Sequence, residues 1–148
     1  MNPIQRALVA IDFSDKSDAV VHWAVSIAKA HQAELDLIHV ADPDPDFVGY
    51  GPGPQTVRDQ VAHDMSDQHR MLQQLGESIK AENVPVQTHC LQGAVVETIL
   101  EKARTDAADI IIVGSHGHGG LYRAVLGSIS EGIVRHSTCP VVVVPTGK

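Results

Sequence analysis

Three short runs in this chain are wholly apolar: Ala7-Leu8-Val9-Ala10-Ile11, Ile110-Ile111-Ile112-Val113 and Val141-Val142-Val143-Val144. The first two read as strands buried on both faces, which requires helices above and below a sheet. Between the runs the apolar residues change period. Val20, Trp23, Ala24, Ile27 and Ala28 fall on one helical face, with Trp23 as its expected core anchor and Ser14 or Asp15 as N-cap.

The same alternation continues along the chain. Leu35 to Val40 reads as a second strand, and 43–54, with its Pro and Gly residues and Phe47 and Tyr50, as a long irregular connection. From Thr56 to Glu82 there is no Pro, and Val57, Val61, Met65, Met71, Leu72, Leu75 and Ile79 supply one face of a long helix. Val86 to Leu91 alternates, as a less buried edge strand would. Val95, Val96, Ile99, Leu100 and Ala103 recur at helical spacing, and Ser128 to His136 forms the last helix.

This β-α-β-α-β-α-β-α-β order predicts one domain over residues 1–148, an α/β, doubly wound five-stranded parallel sheet with helices on both faces. A length of 148 residues with 43% hydrophobic content suits one core. Ligands of such sheets bind at the carboxyl ends of strands, where the strand order reverses.

Eleven basic residues against eighteen acidic ones give a net charge of -7. With no basic run, nucleic acid and anionic membrane are not the expected partners. No stretch approaches the roughly 20 apolar residues of a membrane span, and the start lacks a signal peptide's apolar core. Cys90 and Cys139 are widely spaced without a Cys-x-x-Cys pattern, so a cytoplasmic location with reduced thiols is expected. The histidines show no metal-ligand spacing, and His39 and His89 read as strand-packed.

The segment from Val113 to Ser128 carries the chemistry. Gly114, Gly117, Gly119 and Gly120 follow a buried strand, and Gly127-Ser128 opens a helix, where unpaired amides attract phosphate. No Lys lies between Lys102 and Lys148, which excludes a P-loop. The dinucleotide pattern fails at Tyr122, and a nucleophile elbow fails at Val113. His116, His118 and Arg123 are the segment's cations, and permanently charged Arg123 is the better phosphate partner. Asp12 could instead cap the following helix, and Ser128 with Glu131 has capping-box spacing.

Gly114, two residues, Gly117, nine residues, then Gly127-Ser128 resembles the nucleotide-binding signature of the universal stress protein family. Ile11-Asp12-Phe13-Ser14 and Cys139-Pro140 before the terminal valines extend the resemblance over nearly the full length. It implies an adenine-nucleotide alpha hydrolase-like fold and an ATP-binding subfamily, with ATP, alone or with Mg²⁺, as cofactor. The resemblance implies Asp12, Val40, Gly114, Gly117, Gly127, Ser128 and the Ile129 amide as site residues, and the expected site also takes in Ile11, Val113, His118 and Arg123. Asp12 takes the ribose station and the Val40 backbone the adenine station.

The resemblance also implies a stress-response homodimer joined through Val141, Val142, Val143 and Val144, with a further regulatory partner. No catalytic residue and no protein-held metal are expected. Two other readings remain: a slow Mg²⁺-dependent ATPase or phosphotransferase using Asp12 and the histidines, and a nucleotide-free interaction module.

Overall fold

The structure is a computed structural model that describes residues 3–14, 16–41, 55–116 and 126–146, with the backbone alone over 55–64. Its elements are β1 (Arg6–Ala10), α1 (Ser17–His31), β2 (Glu34–Ala41), α2 (Gln55–Lys80), β3 (Val86–Gln92), α3 (Val95–Thr105), β4 (Ile110–Gly114), α4 (Ser128–His136) and β5 (Val141–Val144). The strands form one parallel sheet in the order β3-β2-β1-β4-β5. This is the expected doubly wound sheet.

Register explains why β1 is apolar from Ala7 to Ala10. Ala7, Leu8 and Val9 pair with Leu35, Asp36 and Leu37 of β2 on one side, and with Ile110, Ile111 and Ile112 of β4 on the other. Because side chains alternate along a strand, each strand feeds two cores. Ala7, Val9, Leu35, Leu37, Ile110 and Ile112 pack under Val20, Ala24 and Ala28 of α1 and Leu72 and Ile79 of α2. On the opposite face Leu8, Ile38, Val40, Ile111 and Val113 pack under Ile99 and Ala103 of α3 and Ile133 of α4.

β3 and β5 occupy the two edges, and β3 is only half-buried along most of its length, in keeping with its alternating sequence. Two expected anchors do not hold. Trp23 is 52% exposed and Met71 46% exposed. In α1 the buried stripe runs through Val20, Ala24, Val25 and Ala28, which turns Trp23 off the sheet, with the ring of His22 edge-on to it. In α2, Leu72, Leu75 and Ile79 pack on the core, and Met71 lies beside that stripe rather than in it.

Among the described residues no helix is long and apolar enough to cross a membrane. Functionally, the main consequence of the topology lies between β1 and β4. The chain leaves β1 toward β2 and β3, while β4 lies in the other half of the sheet, so the loops after β1 and β4 diverge and leave a crevice.

Candidate functional site

A cavity of about 640 Å³ opens at this crevice. Ile11 and Asp12 follow β1 into it, Val40 ends β2, Val113 and Gly114 end β4, and Gly127, Ser128 and Ile129 begin α4. Eight of the eleven predicted site residues therefore share one wall system. Gly117, His118 and Arg123 lie outside the described residues, as does the 43–54 connection. The volume falls within the several hundred Å³ typical of small-molecule sites.

The glycines serve a different purpose from free turning. Gly127 has ordinary extended angles (φ -70°, ψ 167°), and neither it nor Gly114 has a positive φ. A Cβ on Gly114 would lie 3.1 Å from Thr146 Cγ2 and 3.2 Å from Val20 Cγ2, and one on Gly127 would lie 3.2 Å from the Ser115 carbonyl oxygen. Close approach is what they provide: β4 can end against β5 and α1, and α4 can start against β4.

Ser115 then ties these ends together. Its amide donates to Val144 O at 2.8 Å, and its carbonyl accepts from Gly127 N at 2.6 Å and from Ser130 Oγ at 2.9 Å. Its Oγ accepts the Thr146 amide at 2.9 Å, and Thr146 Oγ1 donates to His116 O at 2.9 Å. Ser115, Ser130 and Thr146 all line the cavity, and none is in the predicted site.

α4 begins one residue earlier than a capping box allows. Gly127 is the N-cap, so Ser128 is the first helical residue and its hydroxyl makes no cap bond. Glu131 instead pairs with Arg135 at 3.0 Å. The first intrahelical bond is Glu131 N to Gly127 O, which leaves the amides of Ser128, Ile129 and Ser130 outside the ladder at the cavity wall. These amides and the positive end of the helix dipole favour an anion there.

Asp12 organises the opposite wall. Its Oδ1 accepts from Ser14 N at 3.0 Å, Ser14 Oγ at 2.7 Å and Ser17 Oγ at 3.0 Å. The helix-side role weighed for Asp12 is thus partly real, since Ser17 opens α1. The helix starts later than expected, with Lys16 as its N-cap rather than Ser14 or Asp15. Phe13 takes a left-handed φ of 60°, and its ring lies 4.6 Å from that of His39.

His39 is buried as expected, but it also lines the cavity. Its Nδ1 lies 2.8 Å from the Ile11 carbonyl, so Nδ1 carries the proton. Nε2 is buried without a hydrogen-bond partner among the described residues, as is Gln68 Oε1 of α2. Lys16 also lines this cavity, so a lysine does reach the site, from α1 rather than from the glycine segment. Its relevance was hidden because an isolated Lys before a helix has no distinguishing spacing.

A doubly wound sheet whose strand-end crevice meets a glycine-led helix start defines a class of small-ligand-binding α/β proteins, the adenine-nucleotide alpha hydrolase-like fold. The universal stress protein family profile matches residues 3–145, and this chain belongs to that family. It is 32% identical over 144 residues to the universal stress protein YxiE of Bacillus subtilis, covering 94% of this chain and 97% of that protein. Universal stress protein UspA from Lactobacillus plantarum superposes with a TM-score of 0.83 at 24% identity, covering 97% of this chain and 99% of that one. A universal stress protein solved in complex with cAMP superposes with a TM-score of 0.73 at 24% identity, covering 98% and 99%.

Proposed function

We propose that this chain is a single-domain adenine-nucleotide-binding regulatory protein that works as a homodimer, with ATP as its ligand. The observation that carries the reading is the convergence of Asp12, Val40, Gly114, Gly127, Ser128 and Ile129 on one 640 Å³ cavity at the β1/β4 switch point. The two sides of the cavity suit the two ends of a nucleotide. The α4 amides offer donors for phosphate, and Lys16 adds a mobile cation. Val40 and Ile99 offer apolar surface for a base, beside the β2 backbone. The cAMP complex of a family member supports the same ligand class.

In this reading Gly117, His118 and Arg123 complete the phosphate side. This reading takes the site as regulatory rather than catalytic, with Asp12, whose Oδ1 accepts from the hydroxyls of Ser14 and Ser17, as the acid best placed for a Mg²⁺ ion. A second reading, slow Mg²⁺-dependent hydrolysis, is favoured by Lys16 and Asp12 lining the same cavity. It requires metal-dependent phosphate release that falls sharply in Asp12→Ala.

Mass spectrometry of ligand released from the denatured protein, followed by titration of ATP, ADP and AMP, tests the proposal. At about 100 times Kd a bound nucleotide adds about 2.7 kcal/mol of stability, visible as a thermal shift. Lys16→Gln weakens ATP more than AMP if Lys16 meets the outer phosphates. Absence of any shift with all three nucleotides rejects the site and leaves the interaction-module reading.

A further inference from the structure

A second polar cluster lies on the α3 side of the sheet, away from the cavity. Asp36 sits in the middle of β2 with 1% of its surface exposed, in a position otherwise given to core residues. Its sheet neighbours in register are Leu8 of β1 and Gln87 of β3. One step along each strand on the same face stand Arg6 and His89. From above, Asp106, the C-cap of α3, reaches toward them.

Neither carboxylate oxygen of Asp36 has a hydrogen-bond partner among the described residues. Arg6 Nε is 3.8 Å from Oδ2, but the guanidinium is held elsewhere, donating to Asp106 O at 3.2 Å and to Glu34 Oε2 at 3.4 Å. His89 Nε2 is 3.8 Å from Oδ1. Burial pushes the Asp36 carboxyl above its ordinary range, Arg6 and His89 oppose that, and the Asp106 and Glu34 carboxylates add to it. Buried charge next to like charge is unfavourable unless a cation is shared between them.

We propose that Asp36, His89 and Asp106 form a binding site for a first-row divalent transition metal ion such as Zn²⁺. One ligand atom from each residue lies within 4.8 Å of the others. Tetrahedral ligands about 2.1 Å from an ion lie roughly 3.4 Å apart, so Asp36 Oδ1 and His89 Nε2, at 3.8 Å, need to close by only a few tenths of an ångström. Asp106 is the C-cap of α3, and its carboxylate must turn from Lys102 toward the other two ligands to complete the set. One imidazole with two carboxylates suits zinc or its neighbours better than calcium or magnesium, which take oxygen alone. Three protein ligands leave a position for water or an external ligand.

The surrounding charges bear on affinity. Lys102 pairs with Asp106 Oδ2 at 3.1 Å, and Arg6 flanks Asp36, so both compete with the ion. None of the three ligands lines the nucleotide cavity, so metal binding there is separable from nucleotide.

Isothermal titration of ZnCl₂ into the nucleotide-free full-length protein tests the site, against His89→Gln, Asp106→Asn, Asp106→Glu and the exposed-helix control His136→Gln. Expected is one ion per chain, weakened at least about tenfold in His89→Gln and Asp106→Asn. Asp106→Glu recovers part of that loss, and His136→Gln binds as wild type. His89 and Asp106 are partly exposed, 24% and 16% at the side chain, so their variants keep the fold, which circular dichroism verifies. No stoichiometric zinc binding by wild type, or unchanged binding in both His89→Gln and Asp106→Asn, overturns the proposal.

Discussion

Phe13 holds a left-handed backbone, at φ 60°, that large side chains rarely adopt, directly after an acid at the candidate site. The contact with the His39 ring and the donors gathered on Asp12 Oδ1 hold that turn. Asp36 shows the opposite kind of tension, electrostatic rather than steric. Its carboxyl is raised by burial, so in metal-free protein the folded state keeps the proton to higher pH than the unfolded chain does, whose carboxyl titrates near 3.8. Stability is therefore lost as pH rises through the folded-state value, and the ionised form remains a cost at neutral pH. Asp36→Asn keeps the shape and removes the charge facing Arg6, Glu34, His89 and Asp106, while Lys102 stays paired with Asp106. Denaturant unfolding in EDTA is expected to find this variant more stable than wild type at pH 7, with the difference shrinking toward pH 4. A constant or reversed difference contradicts burial as the controlling influence.

At the scale of elements, the succession of strands and helices along the chain was legible because its signals are local. A four- or five-residue apolar run admits few structures, and the 3.6-residue period of α3 and α4 returns the same face each turn. The cavity's first half was legible for the same reason: the glycines and the Gly127-Ser128 helix start are contiguous marks. Lys16, Gln68 and Thr146 were not, since they reach the cavity only through packing between distant segments. Trp23 misled because size suggested a core residue, whereas the stripe of α1 that meets the sheet is built from Val20, Ala24, Val25 and Ala28. The end of α1 also carries a correctable flaw. Gln32 caps it in the left-handed region (φ 55°, ψ 42°), its amide donating to Ala28 O, and its side chain is exposed. Glycine relieves that conformation without losing a contact, so Gln32→Gly is expected to stabilise by about 1 kcal/mol. For a chain of this size that is a rise of roughly 2–4 °C in Tm by calorimetry; a fall would show that the exposed Gln32 side chain makes a contribution of its own.

For the whole molecule, the sheet ends in a four-residue strand that, among the described residues, pairs only with β4, and its outer backbone edge sets how two copies could join. Pro140 O accepts from Ile111 N, and Val144 O accepts from Ser115 N, so the carbonyls of even-numbered residues point toward β4. By the two-residue alternation of a strand, the amides and carbonyls of Val141 and Val143 face outward. The proposed homodimer would use them, in an isologous contact that repeats the same groups on both subunits. Val143→Pro removes one outward amide while sparing the hydrogen bonds to β4, and proline is tolerated at a sheet edge for that reason. Light scattering behind size exclusion is expected to show a dimer for wild type and a monomer, or a dimer weakened at least about tenfold (about 1.4 kcal/mol), for Val143→Pro. Because the α4 amides and Asp12 lie on the cavity rather than on this edge, the variant should still bind ATP. A dimer of unchanged affinity in Val143→Pro would move the interface elsewhere on the surface, and a wild-type monomer would remove it from the proposed function altogether.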